Sequence, residues 1–196
     1  MKHDLRFLIV LSLSTLNMAA ESSLNSTQTA IFAGGCFWCV QEAFDDLKGV
    51  LSTTAGYTGG HIQNPTYDQV SHGNTGHYES LKVIFNPSII TYKKLLEIFW
   101  KNVDPLDDGG QFCDRGDSYR SAIFYFDDEQ KSIALKSKND VEKELKATVA
   151  TKIVPAVKFY PAEDYHQEYH KKNPIRYKFY RYRCGRDNRL NEVWKK

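Results

Sequence analysis

The chain reads as an α+β protein, a layered sandwich in which helices pack on a mixed sheet. Three observations point there. Stretches of alternating or β-branched residues interleave with stretches of helical period. Gly-, Pro- and Asn-rich turns separate them. From Thr27 onward no repeat, linker or low-complexity run divides the chain. With 196 residues, 41% hydrophobic and 26% charged, a single domain over residues 21–196 can bury a core without metal or disulfide staples.

The elements follow in order. "TAIFAGG" is a short strand ending in a Gly-Gly turn. "CFWCVQEAFDDLKG" places Phe37, Val40, Phe44 and Leu47 at helical spacing, with Gly49 as a stop. "VLSTTAGYTGG" is a strand, and "HIQNPTYDQVSHGNTGH" a polar loop. "YESLKVIF" alternates and closes at Asn86-Pro87. "TYKKLLEIFWKNV" is a helix stopped by Asp104-Pro105. "LDDGGQFCDRGDS" is a Gly- and Asp-rich loop leading to the strand "YRSAIFYF". "DEQKSIALKSKNDVEKEL" is a charged amphipathic helix, "IVPAVKFY" a strand, and "PAEDYHQEYHKKN" a short helix or helical turn. An irregular, basic C-terminal tail is expected after it.

The first twenty residues stand apart. Lys2 and Arg6 precede an apolar run from Phe7 to Leu16, followed by small residues Ala19 and Ala20. That is the layout of a secretory signal, and the run is short for a bilayer span. An exported, periplasmic protein is expected, membrane-anchored only if the signal stays uncleaved. The net charge of +2 gives no general pull toward nucleic acid. From Tyr165 onward ten Lys or Arg face three Asp or Glu, but no nucleic-acid motif accompanies them.

Four cysteines, Cys36, Cys39, Cys113 and Cys184, admit several chemistries. Two structural disulfides suit an oxidising compartment, and four cysteines allow three pairings. Zinc has one C-x-x-C half-site and no second half. A thioredoxin-like redox pair fits the turn-to-helix context but lacks the usual intervening proline. Cys36 itself sits where a Gly-Gly turn opens a helix. Unpaired N–H groups and the positive end of the helix dipole favour a thiolate there. A reactive thiol is therefore preferred to a buried structural one.

Five stretches, "GCFWC", "GYTGG", "NPTYDQVSHGNTGHYE", "DRGDSYRSAIF" and "KFYPAEDYHQEYH", run in order from about residue 30 to about residue 170. Together they resemble the A-type peptide methionine sulfoxide reductases. The resemblance implies a ferredoxin-like core. It also implies reduction of methionine S-sulfoxide, free or in oxidised proteins, without metal or tightly bound cofactor. Cys36 matches the family's nucleophile, and Phe37 and Trp38 the rings that hold the substrate methyl. Glu79 matches the acid that protonates the sulfoxide oxygen, which requires a raised pKa. Tyr67 and Tyr119 match hydroxyl donors to that oxygen, and Asp114 an acid that helps hold substrate. His77 and Arg120 look like supporting residues, and Glu163, Asp164 and His166 match a motif of the site's architecture.

The implied cycle makes a Cys36 sulfenic acid, then an intramolecular disulfide, recycled by an external thioredoxin-like dithiol. Cys184 is the expected resolving thiol, because tail cysteines commonly serve and Gly185 beside it in an irregular tail would let it swing over Cys36. Cys113 and Cys39 remain alternatives. At Phe112-Cys113 the chain departs from the family's usual Gly-Asn. The rival readings are an exported disulfide-exchange protein, or a binding module held by Cys36–Cys39 and Cys113–Cys184 bridges.

Overall fold

The computed structural model describes residues 27–195; the expected signal at residues 1–20 lies outside the described residues. The chain forms β1 (Gln28–Gly34), α1 (Phe37–Asp45), β2 (Val50–Thr58), α2 (Tyr67–Ser71), β3 (Tyr78–Phe85) and α3 (Tyr92–Trp100). A two-stranded hairpin follows, β4 (Gly110–Gln111) and β5 (Asp114–Arg115), then a 3-10 turn at Asp117–Tyr119. Next come β6 (Ser121–Tyr125), α4 (Asp128–Leu145), β7 (Lys152–Pro155), β8 (Tyr160–Pro161) and a 3-10 turn at Asp164–His166. The chain ends in α5 (Tyr169–Lys172), α6 (Pro174–Arg183) and α7 (Arg186–Trp194).

The large sheet runs β7-β6-β1-β3-β2-β8. Its pairs are antiparallel except β6–β7, which is parallel. The four central strands, in the order β6-β1-β3-β2 with α1 and α3 as crossovers, form the split β-α-β of a ferredoxin-like core. Phe32 on β1 ties the layers together. Its ring stacks on Phe44 of α1 at 5.3 Å and on Phe99 of α3 at 5.2 Å.

Capping explains where helices begin. Thr91 accepts the Lys94 N–H at the start of α3, and Asp127 accepts the Gln130 N–H at the start of α4. A Thr66/Gln69 capping box opens α2 inside the stretch expected to be loop. With five residues, α2 is too short to show a period in sequence.

Two expectations are corrected. "IVPAVKFY" is not one strand: β7 lies at one edge of the sheet and β8 at the other, so the chain crosses between them. The C-terminal tail is not irregular but helical. Pro174 occupies the first turn of α6, where its missing N–H costs nothing. Leu190, Val193 and Trp194 of α7 join the main core. The inward residues of α6 are tyrosines among arginines, so its apolar face is faint in sequence.

Candidate active site

The end of β1 delivers Cys36 to the N-cap of α1. A side chain at Gly34 would meet Val103 at 2.8 Å, and one at Gly35 would meet Gln111 at 2.6 Å. Gly35 also has φ of +78°, a conformation that other residues strain to adopt. The two glycines thus let the strand turn tightly into the helix beneath the β4–β5 hairpin. Cys36 is 6% exposed, and its carbonyl accepts the N–H groups of Cys39 and Val40.

Glu79, on β3 opposite Tyr57 of β2, projects into the same place and is 2% exposed. Its Oε2 accepts the backbone N–H of Phe37 at 3.0 Å. Burial pushes its carboxyl up to about 8, with the Asp114 and Cys39 charges acting the same way and the Phe37 N–H opposing. The acid is therefore protonated at neutral pH. Burial likewise pushes the Tyr67 hydroxyl up to about 12 and raises Tyr119; the two hydroxyls hydrogen-bond each other. Both remain donors.

Cys36, Phe37, Trp38, Tyr67, Glu79, Asp114, Tyr119 and Tyr180 line one cavity of about 50 Å³. Seven of these eight are expected site residues. A larger groove of about 610 Å³ between α3, α4 and Trp194 contains no thiol. Trp38 stacks on Tyr169 at 3.8 Å, and its Nε1–H donates to His166 Nδ1 at 3.1 Å. Burial lowers the His166 pKa, in keeping with a neutral ring that accepts at Nδ1. His166 also packs against Phe37 and Tyr67, and so spaces three of the lining rings. Glu163 accepts the Tyr67 N–H and the Tyr57 hydroxyl, fixing the start of α2.

The remaining expected residues stand further back. Asp164 opens the 3-10 turn that carries His166. His77 accepts the Gly60 N–H and contacts the Ile62 carbonyl, organising the loop after β2. Arg120 pairs with Asp117 and lies over the Tyr78 ring, outside the cavity lining.

The thiols divide into two pairs. Cys36 and Cys39 are both free and buried, and they pack in one cluster with Tyr177. They behave as a coupled pair. The Cys39 thiol is pulled down to about 6, first by the hydrogen bond from Cys36, and then by the Arg186 charge and Tyr177 against the opposing effect of burial. The second ionisation is costly: burial and then Cys39 push the Cys36 thiol well up. Cys113 and Cys184 form a disulfide. Cys184 is therefore not on a swinging tail; it caps the C-terminus of α6, and its sulfur lies 3.9 Å from Asp114 Oδ2. Of the two bridges expected for a binding module, only Cys113–Cys184 is present. Among the described residues, the one cluster with a metal's donor set is Cys113, Asp114 and Cys184, whose two sulfurs are bonded to each other.

Sequence reasoning missed Tyr180, whose hydroxyl donates to Asp114 Oδ2 at the cavity wall. It also missed Tyr169, Tyr177 and Arg186. The available signal was the spacing of Tyr177, Tyr180 and Cys184, which share one face of a helix. Arg186 is 1% exposed. It donates to the Asn102 carbonyl at 2.6 Å and the Gly34 carbonyl at 3.5 Å, and lies over the Phe112 ring. It thereby ties α7 to Gly34 at the end of β1, two residues before Cys36.

The family model described as "Peptide methionine sulfoxide reductase" matches residues 28–196. The chain is 50% identical over 169 residues to the peptide methionine sulfoxide reductase MsrA of Bacillus licheniformis, covering 85% of this chain and 93% of that one. It is 48% identical over 195 residues to MsrA 2 of Caulobacter vibrioides, covering 97% and 99%. Among solved structures, reduced Mxr1 from Saccharomyces cerevisiae matches with TM-score 0.72 and 31% identity over 76% of this chain and 86% of that one. Mxr1 in complex with Trx2 matches with TM-score 0.53 and 25% identity, covering 73% and 84%. With the family's match running from β1 to the end of α7, this chain belongs to the peptide methionine sulfoxide reductases.

Proposed function

We propose that Cys36 reduces methionine S-sulfoxide, free or in oxidised proteins, with Glu79 as the acid. One observation carries this reading: a thiol at a helix N-cap shares a small cavity with a buried, protonated carboxylic acid. Cys36 attacks as a thiolate. Its proton passes to Cys39, and the positive end of the α1 dipole favours the developing charge. Glu79 gives its proton to the sulfoxide oxygen while Tyr67 and Tyr119 donate hydrogen bonds to it. Phe37 and Trp38 enclose the methyl group, and Asp114, lining the same cavity, helps hold the substrate. Methionine leaves reduced, and Cys36 is oxidised by two electrons to a sulfenic acid.

Cys184 is the resolving thiol in this reading. Its sulfur attacks the Cys36 sulfenic sulfur, the thiol proton goes to the departing hydroxyl, which leaves as water, and a Cys36–Cys184 disulfide forms. Cys113 then attacks Cys184 and releases Cys36 as a thiol, which leaves the Cys113–Cys184 bridge. An external dithiol exchanges with that bridge, becoming a disulfide as the two cysteines return to thiols. The likeness to Mxr1, solved in a complex with Trx2, supports a thioredoxin-like donor. A second reading has Cys39 resolve, favoured by its hydrogen bond from Cys36. Residues 1–20 support an exported, periplasmic enzyme whose single reductase domain spans residues 21–196.

A single-turnover assay on each sulfoxide epimer, with peptide mapping of the disulfide formed, tests the scheme. With reduced enzyme in excess, the S epimer should be converted to methionine and leave a bridge at Cys184. Full activity in Cys36→Ser would overturn the nucleophile. Unimpaired thioredoxin-driven recycling in Cys184→Ser would transfer resolution to Cys39.

A further inference from the structure

We infer that Tyr180 fixes the size of the group that the cavity accepts on sulfur, admitting methyl and turning away ethyl. The inference deepens the proposed reaction and rests on it, because Phe37 and Trp38 are there the rings that enclose the methyl group. Of the side chains that line the cavity, Tyr180 alone comes from the C-terminal helices. Its ring meets Trp38 edge-on, with centroids 5.7 Å apart and planes at 79°. It therefore borders the methyl-binding ring, while Glu79, Tyr67 and Tyr119 serve the oxygen.

Neither ring is free to move aside. The Tyr180 hydroxyl donates to Asp114 Oδ2 on the β4–β5 hairpin, which ties the outer end of the ring to the opposite wall. Its backbone lies in α6 between two residues pinned to α1: the Tyr177 hydroxyl donates to Glu42, and Arg181 pairs with the same carboxylate. Trp38 is held by the Tyr169 face at 3.8 Å and by its bond to His166. The space between these walls is about 50 Å³. A water-sized group needs roughly 10–15 Å³ of such space, so the cavity admits about four. The sulfinyl sulfur, its oxygen, its methyl carbon and the methylene before the sulfur fill those places. A further methylene on the methyl side has to displace a side chain, which a tightly packed site resists. Tyr180 is half-buried on an outer helix, so shortening it enlarges the methyl end without emptying the core.

The test compares the S epimers of methionine sulfoxide and ethionine sulfoxide as substrates of the full-length enzyme, with dithiothreitol as reductant. The wild type should prefer the methyl compound by about tenfold in kcat/KM, the discrimination that one methylene commands in an apolar pocket. Tyr180→Ala should bring that ratio to about two, through a relative gain on the ethyl compound. Tyr180→Phe keeps the ring and loses the bond to Asp114, and its ratio should lie nearer the wild type than Tyr180→Ala. An unchanged ratio in Tyr180→Ala overturns the inference, as does a wild type indifferent to the added methylene. Equal loss of preference in Tyr180→Phe and Tyr180→Ala also overturns it, because the barrier is then the bond to Asp114 and not the ring. Binding of both sulfoxides to Cys36→Ser, with and without Tyr180→Ala and read by tryptophan fluorescence, makes the same comparison without turnover. A wild type that reduces neither sulfoxide overturns the underlying reaction, while that binding comparison still judges Tyr180.

Discussion

Glu79 accepts the backbone N–H of Phe37 at 3.0 Å, so the buried acid is fixed to the first turn of the helix that Cys36 opens. The acid is thus held by the backbone of the helix that carries the nucleophile. The arrangement also explains the raised acid: a single N–H opposes full burial and two neighbouring negative groups, and it is not enough to keep the carboxyl ionised.

Glu79→Gln should slow the single-turnover reduction of sulfoxide by roughly 10²–10³, while leaving the later disulfide steps unaffected. Rapid-quench measurement of methionine formed against disulfide formed separates the two. In the wild type the reductive step should fall as pH rises through about 8, where Glu79 loses its proton. That limb should be absent in Glu79→Gln.

The same acid makes a stability prediction of definite sign. Its folded pKa of about 8 lies above the ordinary value of 4.5, so the native state holds a proton that the unfolded chain releases. Stability should therefore decline between about pH 4.5 and about pH 8 and stay low above it. Urea titrations of wild type and Glu79→Gln should converge at acid pH and diverge in favour of the variant as pH rises from about 4.5 to about 8. A wild type that gains on the variant with rising pH would contradict the buried proton.

Alkylation of the reduced enzyme should follow a group titrating near 6, the first ionisation of the Cys36–Cys39 pair. Arg186→Met removes a cation that stabilises the thiolate, so this titration should move up by roughly one unit; Arg186→Lys should largely restore it. A purely structural loss would lower the amplitude without moving the midpoint.

The Cys113–Cys184 bridge closes a loop of 71 residues. Oxidised wild type should exceed Cys113→Ser in unfolding free energy by about 4 kcal/mol. Under reducing conditions the two should differ little. Equal denaturant midpoints in both states would show that the bridge contributes no stability.

Trp38→Ala should raise the KM for methionine sulfoxide about tenfold, through loss of the methyl-binding ring and of the surface against which Tyr169 stacks. Trp38→Phe keeps an aromatic face but loses the bond to His166, and should lie between the two. Steady-state kinetics on a short oxidised peptide measures both.

The chemistry of the site was written locally. The Gly-Gly turn and the thiol that opens a helix after it are adjacent-residue facts; the rings at 37 and 38 and the glutamate at 79 are marked by the resemblance, and the fold brings them into one cavity. The alternation of strand and helix was equally legible, because hydrophobic period and turn residues are local signals. Tertiary structure decided the rest. Cys184 meets Cys113 because the tail folds into α6 and α7, whose inward faces are tyrosines and a buried arginine that hydropathy scores as polar. Glu79 is an acid with a raised pKa only because burial removes its water, and no residue near it in sequence carries that information. Sequence determined which groups are present and in what local geometry; long-range packing decided which of them share a dielectric, a proton or a bond.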